Sequence, residues 1–189
     1  MKAKKCKVCK KIFAPQKMGQ KVCSPECAIS MAVSERGKAE KVAKVKERRA
    51  DNEKREILKK RGDWMAEAQS AFNLFIRLRD RHAGHACISS GKQLDWAGNA
   101  VDAGHYRSRG SAPHLRFDER NCHAQSKHDN RYASGNVVGY RYGLIERIGL
   151  EAVRELETDQ TPRKYTIDDL KAIKRKYMDK AKALKEQLA

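Results

Sequence analysis

The spacing of apolar residues divides this chain into stretches that can bury a face and stretches that cannot. Trp64, Ala68, Ala71, Phe72, Phe75 and Leu78 recur at helical intervals and predict a core-facing amphipathic helix. Near the C-terminus Ile167, Leu170, Ile173, Tyr177, Ala181 and Leu184 form a second stripe. Thr166-Ile-Asp-Asp169 opens it like a capping box. That stripe packs either on the core or on a second copy of itself. Residues 31–62 behave differently. Few residues are substantially apolar there, Val42, Val45, Ile57 and Leu58 among them, while Glu40/Lys44, Asp51/Arg55 and Glu56/Lys60 are spaced to support a solvated helix, with Gly62 at its end.

Between the two stripes, Gly84, Gly91, Gly98, Gly104, Gly110 and Pro113 punctuate short apolar pieces. Hairpin strands are expected at about 100–107 and 114–118, and a helix at roughly 121–133. A break follows at Ser134-Gly135-Asn136, then further helix from Val137 to Ile148. No internal repeat is evident. The expected class is α+β: a small N-terminal module (1–30), a basic charged helix or linker (31–62), a helix-flanked hairpin core (63–160) and a C-terminal amphipathic helix (161–189).

Charge narrows the choice of partner. The chain has 42 Lys and Arg against 24 Asp and Glu in 189 residues, a net charge of +18. Such a surplus favours a polyanion, because each neutralised phosphate releases counterions. A membrane is disfavoured, since no apolar run approaches the roughly 18–20 residues that span a bilayer, and nothing points to a small-molecule substrate. The Met-Lys-Ala-Lys-Lys-Cys start lacks a signal peptide's apolar core, so a cytoplasmic protein is expected. Its six cysteines then read as metal ligands or free thiols.

Cys6-x2-Cys9-x13-Cys23-x3-Cys27 has the spacing of a tetrahedral zinc site. The alternative is four buried thiols. A segment this poor in apolar residues scarcely folds without metal, and a closed four-cysteine site would be structural. Lys7, Lys10, Lys11 and Lys21 beside it suit DNA, although the module could equally dock a protein.

The chemistry is concentrated in Asp102-Ala-Gly-His105-Tyr-Arg107 and Arg120-Asn121-Cys-His123 through Asn130. A neutral His is a suitable base near pH 7, and imidazole, amide and carboxylate groups can hold a divalent cation against a phosphate. His123 and Asn130, seven apart, would share one face of the expected helix. Arg107, Arg109, Arg116 and Arg120 could grip DNA phosphates. The plainer reading is a set of scattered polar residues on a basic surface.

These segments, with Leu115-Arg-Phe-Asp-Glu-Arg-Asn-Cys-His-Ala-Gln125, the four-Cys module, Arg77-Leu-Arg-Asp-Arg81 and the tail from Tyr165 to Tyr177, resemble the phage lambda NinG (Rap) recombination proteins over nearly the whole chain. The resemblance implies a structure-selective, divalent-cation-dependent endonuclease cutting branched recombination intermediates such as Holliday junctions and D-loops. It also implies a central part similar to His-Asn-His (ββα-metal) nucleases. In that reading His105 matches the general base, Asn121 the Asn that ties the loop, and Asn130 the last metal ligand. His123 matches a second ligand or phosphate contact. Gly104 stands where an acidic ligand often precedes the base, and Asp102 would serve instead. Magnesium or manganese would be the catalytic ion and zinc the structural one at the N-terminus.

One departure is specific to this chain. The two Cys-x2-Cys pairs that commonly bind a central zinc read Cys87-Ile-Ser-Ser90 and Ser126-Lys-His-Asp129. Loss of the zinc is expected; a site rebuilt from Cys87, Cys122, His85 or His128 is the alternative. The same departure motivates a second functional reading, a catalytically inactive branched-DNA-binding protein derived from such a nuclease. A third is a zinc-containing protein adaptor. A homodimer would supply the two symmetric nicks that resolving a four-way junction requires.

Overall fold

The computed structural model describes residues 2–187. The chain forms two compact units, divided between Leu58 and Lys59. The first holds a two-stranded antiparallel sheet, β1 (Lys4–Lys5) with β2 (Ile12–Phe13), and α1 (Pro25–Leu58). Helix α1 begins earlier than position 31 and has no buried residue along its 34 residues. Its charge pattern explains how it stays solvated; Arg36 and Glu40, one turn apart, pair at 3.2 Å.

The second unit is mixed helix and small sheet, as expected. It contains α2 (Arg61–His82), β3 (Val101–His105), β4 (Cys122–Ser126), α3 (Lys127–Arg131), α4 (Val137–Ile148), α5 (Leu150–Thr158) and α6 (Ile167–Gln187). Gly62 lies in the first turn of α2 and does not end α1. The Asp63 carboxylate accepts from the Lys60 N–H at 2.8 Å and fixes the start of that helix. At α6 the reciprocal bonds of Thr166 and Asp169, 2.8 and 3.1 Å, form the expected cap.

The stripes of α2 and α6 face each other. Trp64, Ala68, Phe72, Phe75 and Ile76 pack with Leu170, Tyr177 and Ala181, joined by Phe117 and Tyr165. Phe72 meets Tyr177 and Phe117 edge-on, with ring centroids 4.8 and 5.7 Å away. The C-terminal stripe is therefore spent inside its own chain and is not left over as a surface for a second copy. A second cluster, Ile88, Ala112, Leu115, Tyr140, Leu144, Val153 and Leu156, sits under α4 and α5.

The sheet separates these clusters. β3 and β4 are antiparallel, with Val101 opposite Ser126, Ala103 opposite Ala124, and His105 opposite Cys122. Alternation sends Ala103 and Cys122 toward the α2/α6 cluster. Gly104, His123 and Gln125 face α4, where Tyr140 donates its hydroxyl to the Gly104 carbonyl at 2.8 Å.

Three expectations are corrected here. The second strand is 122–126, not 114–118. The latter stretch holds a 3-10 turn, Pro113–Leu115, from which Leu115 and Phe117 bury into different clusters. The following helix spans only Lys127–Arg131, because Ser126 caps it by accepting from the Asp129 N–H at 3.1 Å. Asn121 and His123 thus precede the helix, and His123 shares no helix face with Asn130.

Strand β4 is held by charge. The Asp80 carboxylate, 1% exposed, accepts from the Ala124 N–H at 2.6 Å and pairs with Arg79 at 2.7 Å and Arg147 at 3.4 Å. Arg79 also donates to the carbonyls of Glu119 and Cys122, both at 2.9 Å. His123 lies inside this network. It donates Nε2–H to the Arg120 carbonyl, and its Nδ1 accepts from Arg79 and Arg147. Burial, reinforced by the two arginines, lowers its pKa to about 3.

Asp80→Ala is expected to cost about 3–5 kcal/mol in urea unfolding, because it leaves two part-buried arginines and a strand N–H without their partner; an unchanged midpoint would contradict the network's role. A pH effect follows as well. An unfolded His has a pKa of about 6.5, so between that value and about 3 the unfolded chain binds a proton that folded His123 rejects. Its contribution is complete above pH 6.5 and is lost at about 1.4 kcal/mol per pH unit as the pH falls. His105, whose pKa is also depressed, to about 4, adds a like slope, so thermal unfolding from pH 7.5 to 5 should steepen for both rings and His123→Gln should remove about half of the slope.

Candidate functional site

A cleft of about 290 Å³ runs along β3. It is lined by Asn73 and Arg77 of α2, Asp102, Ala103 and His105 of β3, Ser108 and Arg109 of the following loop, and Asn130 and Arg131 of α3. Asp102, His105 and Asn130, singled out from sequence, therefore meet in one place. His105 ends β3. Its Nε2 lies 3.0 Å from the Arg116 carbonyl, which can only accept, so the proton sits on Nε2 and Nδ1 keeps its lone pair. The Cys122 sulfur is 3.6 Å from that Nδ1. Burial, aided by the charges of Arg109 and Arg116, pulls the ring's pKa down to about 4 even though the Arg116 carbonyl opposes it. The Cys122 thiol can donate to that Nδ1, and a neutral imidazole with one unprotonated nitrogen is the state a general base needs.

Asn121 lies outside the cleft, fully buried at the start of β4. Its amide oxygen accepts from the Arg107 N–H at 2.8 Å, and its NH2 donates to the carbonyls of Arg107 and Leu115 at 3.0 and 3.2 Å. One side chain thus closes the 106–121 loop, and that loop carries the carbonyl holding His105.

Across the cleft, Asn130 donates to Asp102 at 3.0 Å, and Arg131 reaches the same carboxylate at 2.7 Å. Burial would raise the pKa of Asp102, but Arg131 and Asn130 outweigh it and hold the group below the usual carboxylate range. Asp102 and Asn130 offer a hard oxygen-donor set that suits a magnesium or manganese ion. Gly104, where an acidic ligand is usual, has no room for a side chain. A Cβ there would collide with the Gln125 amide oxygen, and Gln125 is fixed by donating to Ser89 and to the Gly135 carbonyl.

His123 does not reach this cleft. Both of its nitrogens are engaged on the far side of the sheet, so it is not a partner of Asn130 for a metal. The four arginines also separate. Arg109 is exposed and lines the cleft. Arg116 contributes its carbonyl. Arg107 caps α5 by donating to the carbonyls of Leu156, Glu157 and Asp159 at 3.0–3.1 Å. Arg120 pairs with Asp118 at 3.0 Å and Glu155 at 2.8 Å. The cleft's other cations, Arg77 and Arg131, were not singled out as phosphate contacts from sequence. The one available signal was the charge-rich Arg77-Leu-Arg-Asp-Arg81 inside an otherwise apolar stripe.

In the N-terminal unit, the sulfurs of Cys6, Cys9, Cys23 and Cys27 all lie within 4.8 Å of one another. The set suits a tetrahedral metal such as zinc, and Lys7, Lys10, Lys11 and Lys21 around it are exposed.

A family model described as "Bacteriophage Lambda NinG protein" matches residues 1–187. The chain belongs to the NinG family. Protein ninG of Escherichia phage lambda is 43% identical over 196 residues, covering 94% of this chain and 90% of the relative. That of Salmonella phage P22 is 43% identical over 197 residues, covering 94% and 91%. Protein ninG of Enterobacteria phage H19B is 44% identical over 190 residues, covering 90% and 88%. No solved structure matches the chain. Among the described residues of this NinG-family chain, no helix is long and apolar enough to cross a membrane.

The loop geometry can be tested without any substrate. Asn121→Asp keeps the shape but replaces two donated hydrogen bonds with a carboxylate facing two carbonyls. It is expected to cost about 3 kcal/mol or more in urea unfolding. A wild-type midpoint would remove Asn121 from its loop-closing role.

Proposed function

We propose that this NinG-family chain is a divalent-metal-dependent endonuclease that cuts branched DNA, such as Holliday junctions and D-loops, during phage or prophage recombination in the host cytoplasm. The observation carrying this reading is His105, its proton pinned to Nε2, in one cleft with Asp102 and Asn130. The order strand, loop, strand, short helix supports this reading, because a ββα-metal hairpin would require it. The net charge of +18 and the cleft-lining Arg77, Arg109 and Arg131 favour a phosphate backbone.

In this mechanism the attacking water takes the place of the Cys122 thiol at His105 Nδ1 and gives up its proton there, and the Arg116 carbonyl steadies the imidazolium through Nε2–H. Asn121 keeps that carbonyl in place by closing the loop. Asp102 and Asn130 would hold a magnesium or manganese ion, which would supply positive charge against the phosphate. Arg131 leaves Asp102 for a phosphate oxygen, so the cleft exchanges an internal ion pair for a bound anion. Arg77 and Arg109 grip the backbone on either side. Resolving a four-way junction takes two nicks, which two copies of the chain would supply.

The second reading is a branched-DNA-binding protein without catalysis. The Arg131–Asp102 pair at 2.7 Å favours it, because it occupies the carboxylate that would hold the metal. One experiment separates the two. With magnesium or manganese, the purified chain should cleave a synthetic four-way junction faster than linear duplex. His105→Ala should bind the junction unchanged and lose about 10²–10⁴-fold in cleavage. Full cleavage by that variant would remove His105 from the mechanism; junction binding without cleavage by the wild type would establish the second reading.

A further inference from the structure

Two loops of this chain share one backbone frame. In Cys6-Lys-Val-Cys9-Lys10-Lys11, the Cys6 N–H bonds the Lys11 carbonyl at 2.9 Å, the Lys10 N–H bonds the Cys6 carbonyl at 3.1 Å, and Lys10 has φ +64°. In Cys87-Ile-Ser-Ser90-Gly91-Lys92, the Cys87 N–H bonds the Lys92 carbonyl at 2.9 Å, the Gly91 N–H bonds the Cys87 carbonyl at 2.9 Å, and Gly91 has φ +68°. Offsets, directions and the left-handed residue all agree. The first loop supplies two members of the four-sulfur cluster. The second faces the Ser126–Asp129 turn, where the family resemblance implies a zinc held by four thiolates.

The side chains present do not fit that ion. One thiol, two hydroxyls and one carboxylate are a poor set for zinc, which selects sulfur and imidazole. They do fit one another. The Ser89 hydroxyl accepts from Gln125 Nε2 at 2.9 Å and donates to Asp129 Oδ2 at 2.9 Å. The Cys87 thiol reaches the same carboxylate oxygen at 3.4 Å, and the Ser90 hydroxyl also favours the charged carboxylate. Cys87 Sγ in turn accepts the Ser126 N–H at 3.3 Å, while the Ser126 hydroxyl accepts the Asp129 N–H at 3.1 Å. Burial would raise the Asp129 pKa, but the bonds from Ser90, Ser89 and Cys87 outweigh it and bring it to about 2.

We propose that the Asp129 carboxylate closes this second frame in place of a metal ion, fastening the start of α3 to the 87–92 loop. The frame has kept its backbone and exchanged four metal bonds for hydrogen bonds to one anion. The chain then takes up zinc only through Cys6, Cys9, Cys23 and Cys27.

Elemental analysis and hydrogen exchange on the full-length chain test this without reference to cleavage. The wild type should carry one zinc. A variant with serine at positions 6, 9, 23 and 27 should carry none, and stoichiometric zinc in it would overturn the proposal. Chelation should strip the wild type while leaving amide protection across residues 122–131 unchanged; loss of that protection would also overturn it. Asp129→Ala should lower the melting temperature of the second unit by on the order of 5 °C and reduce protection at residues 127–131. Wild-type protection there would show that the carboxylate fastens nothing. Finally, Ser90→Cys combined with Ser126→Cys and Asp129→Cys should add a second zinc, because the frame already has a metal loop's geometry. A count that stays at one would show that it does not.

Discussion

A buried carboxylate is the constraint on which the second unit depends. Asp80 is almost wholly removed from water, and a carboxylate there is tolerable only with its partners in place. Those partners come from α2, β4 and α4, so satisfying one charge sets the relation of three elements. The bond to the Ala124 N–H also fixes the register of β4. A slip of one residue would send Cys122 and Ala124 to the α4 face and His123 into the aromatic cluster. The pairing of His105 with Cys122 then follows, as does the approach of His105 to the Arg116 carbonyl. The candidate base thus owes its orientation to an acid on α2 that bonds the neighbouring strand.

Two short strands cannot persist alone in water. The sheet survives because apolar clusters cover both faces and because its polar residues are used up internally. Gln125 and His123 each complete a set of bonds that no apolar residue could make, and Tyr140 adds its bond to the Gly104 carbonyl. These bonds are directional. They hold the strand ends, where the cleft opens, more exactingly than packing alone would. His105 shares this protected setting and stays neutral as a consequence.

How much was legible from sequence follows from which interactions are local. The stripes of α2 and α6, the Thr166 cap and the four N-terminal cysteines are written in short-range spacing, and each appears where expected. Strand β4 is not. Cys-His-Ala-Gln-Ser is a poor strand by composition, and it becomes one only because Asp80 and Arg79 bond its backbone from α2, more than 40 positions away. Leu115 and Phe117 alternate like a strand, yet Pro113 turns that segment into a 3-10 helix. The arginines fail for a related reason. Arg107 and Arg120 carry the same charge as Arg109, but α5 folds back to offer its carbonyls to one and Glu155 to the other. No local pattern announces a cation's partner when that partner lies some 35–50 residues along the chain.

The two related loops differ in how much a metal would have to contribute at each place. Around the first, Cys6 and Val22 are the buried hydrophobic residues, and the helix that follows buries nothing. Burial of a few side chains, at about 25 cal/mol per Å² of apolar area, does not offset the entropy of ordering such a segment. Bonds between zinc and the four cysteine thiolates would supply the remaining stabilisation. The second loop is placed differently. Ile88 enters one apolar cluster, α4 lies directly against the loop, and Gly139 and Gly143 are the residues that permit that closeness, since a Cβ at either would strike a carbonyl of Ser89 or Ile88. There the surrounding core already orders the backbone, and a few hydrogen bonds to a carboxylate suffice to finish it. Serine and aspartate in place of thiolates are therefore tolerable at the loop that a core supports, whereas the same exchange at the N-terminus would take away the metal bonds for which few buried side chains among the described residues could substitute.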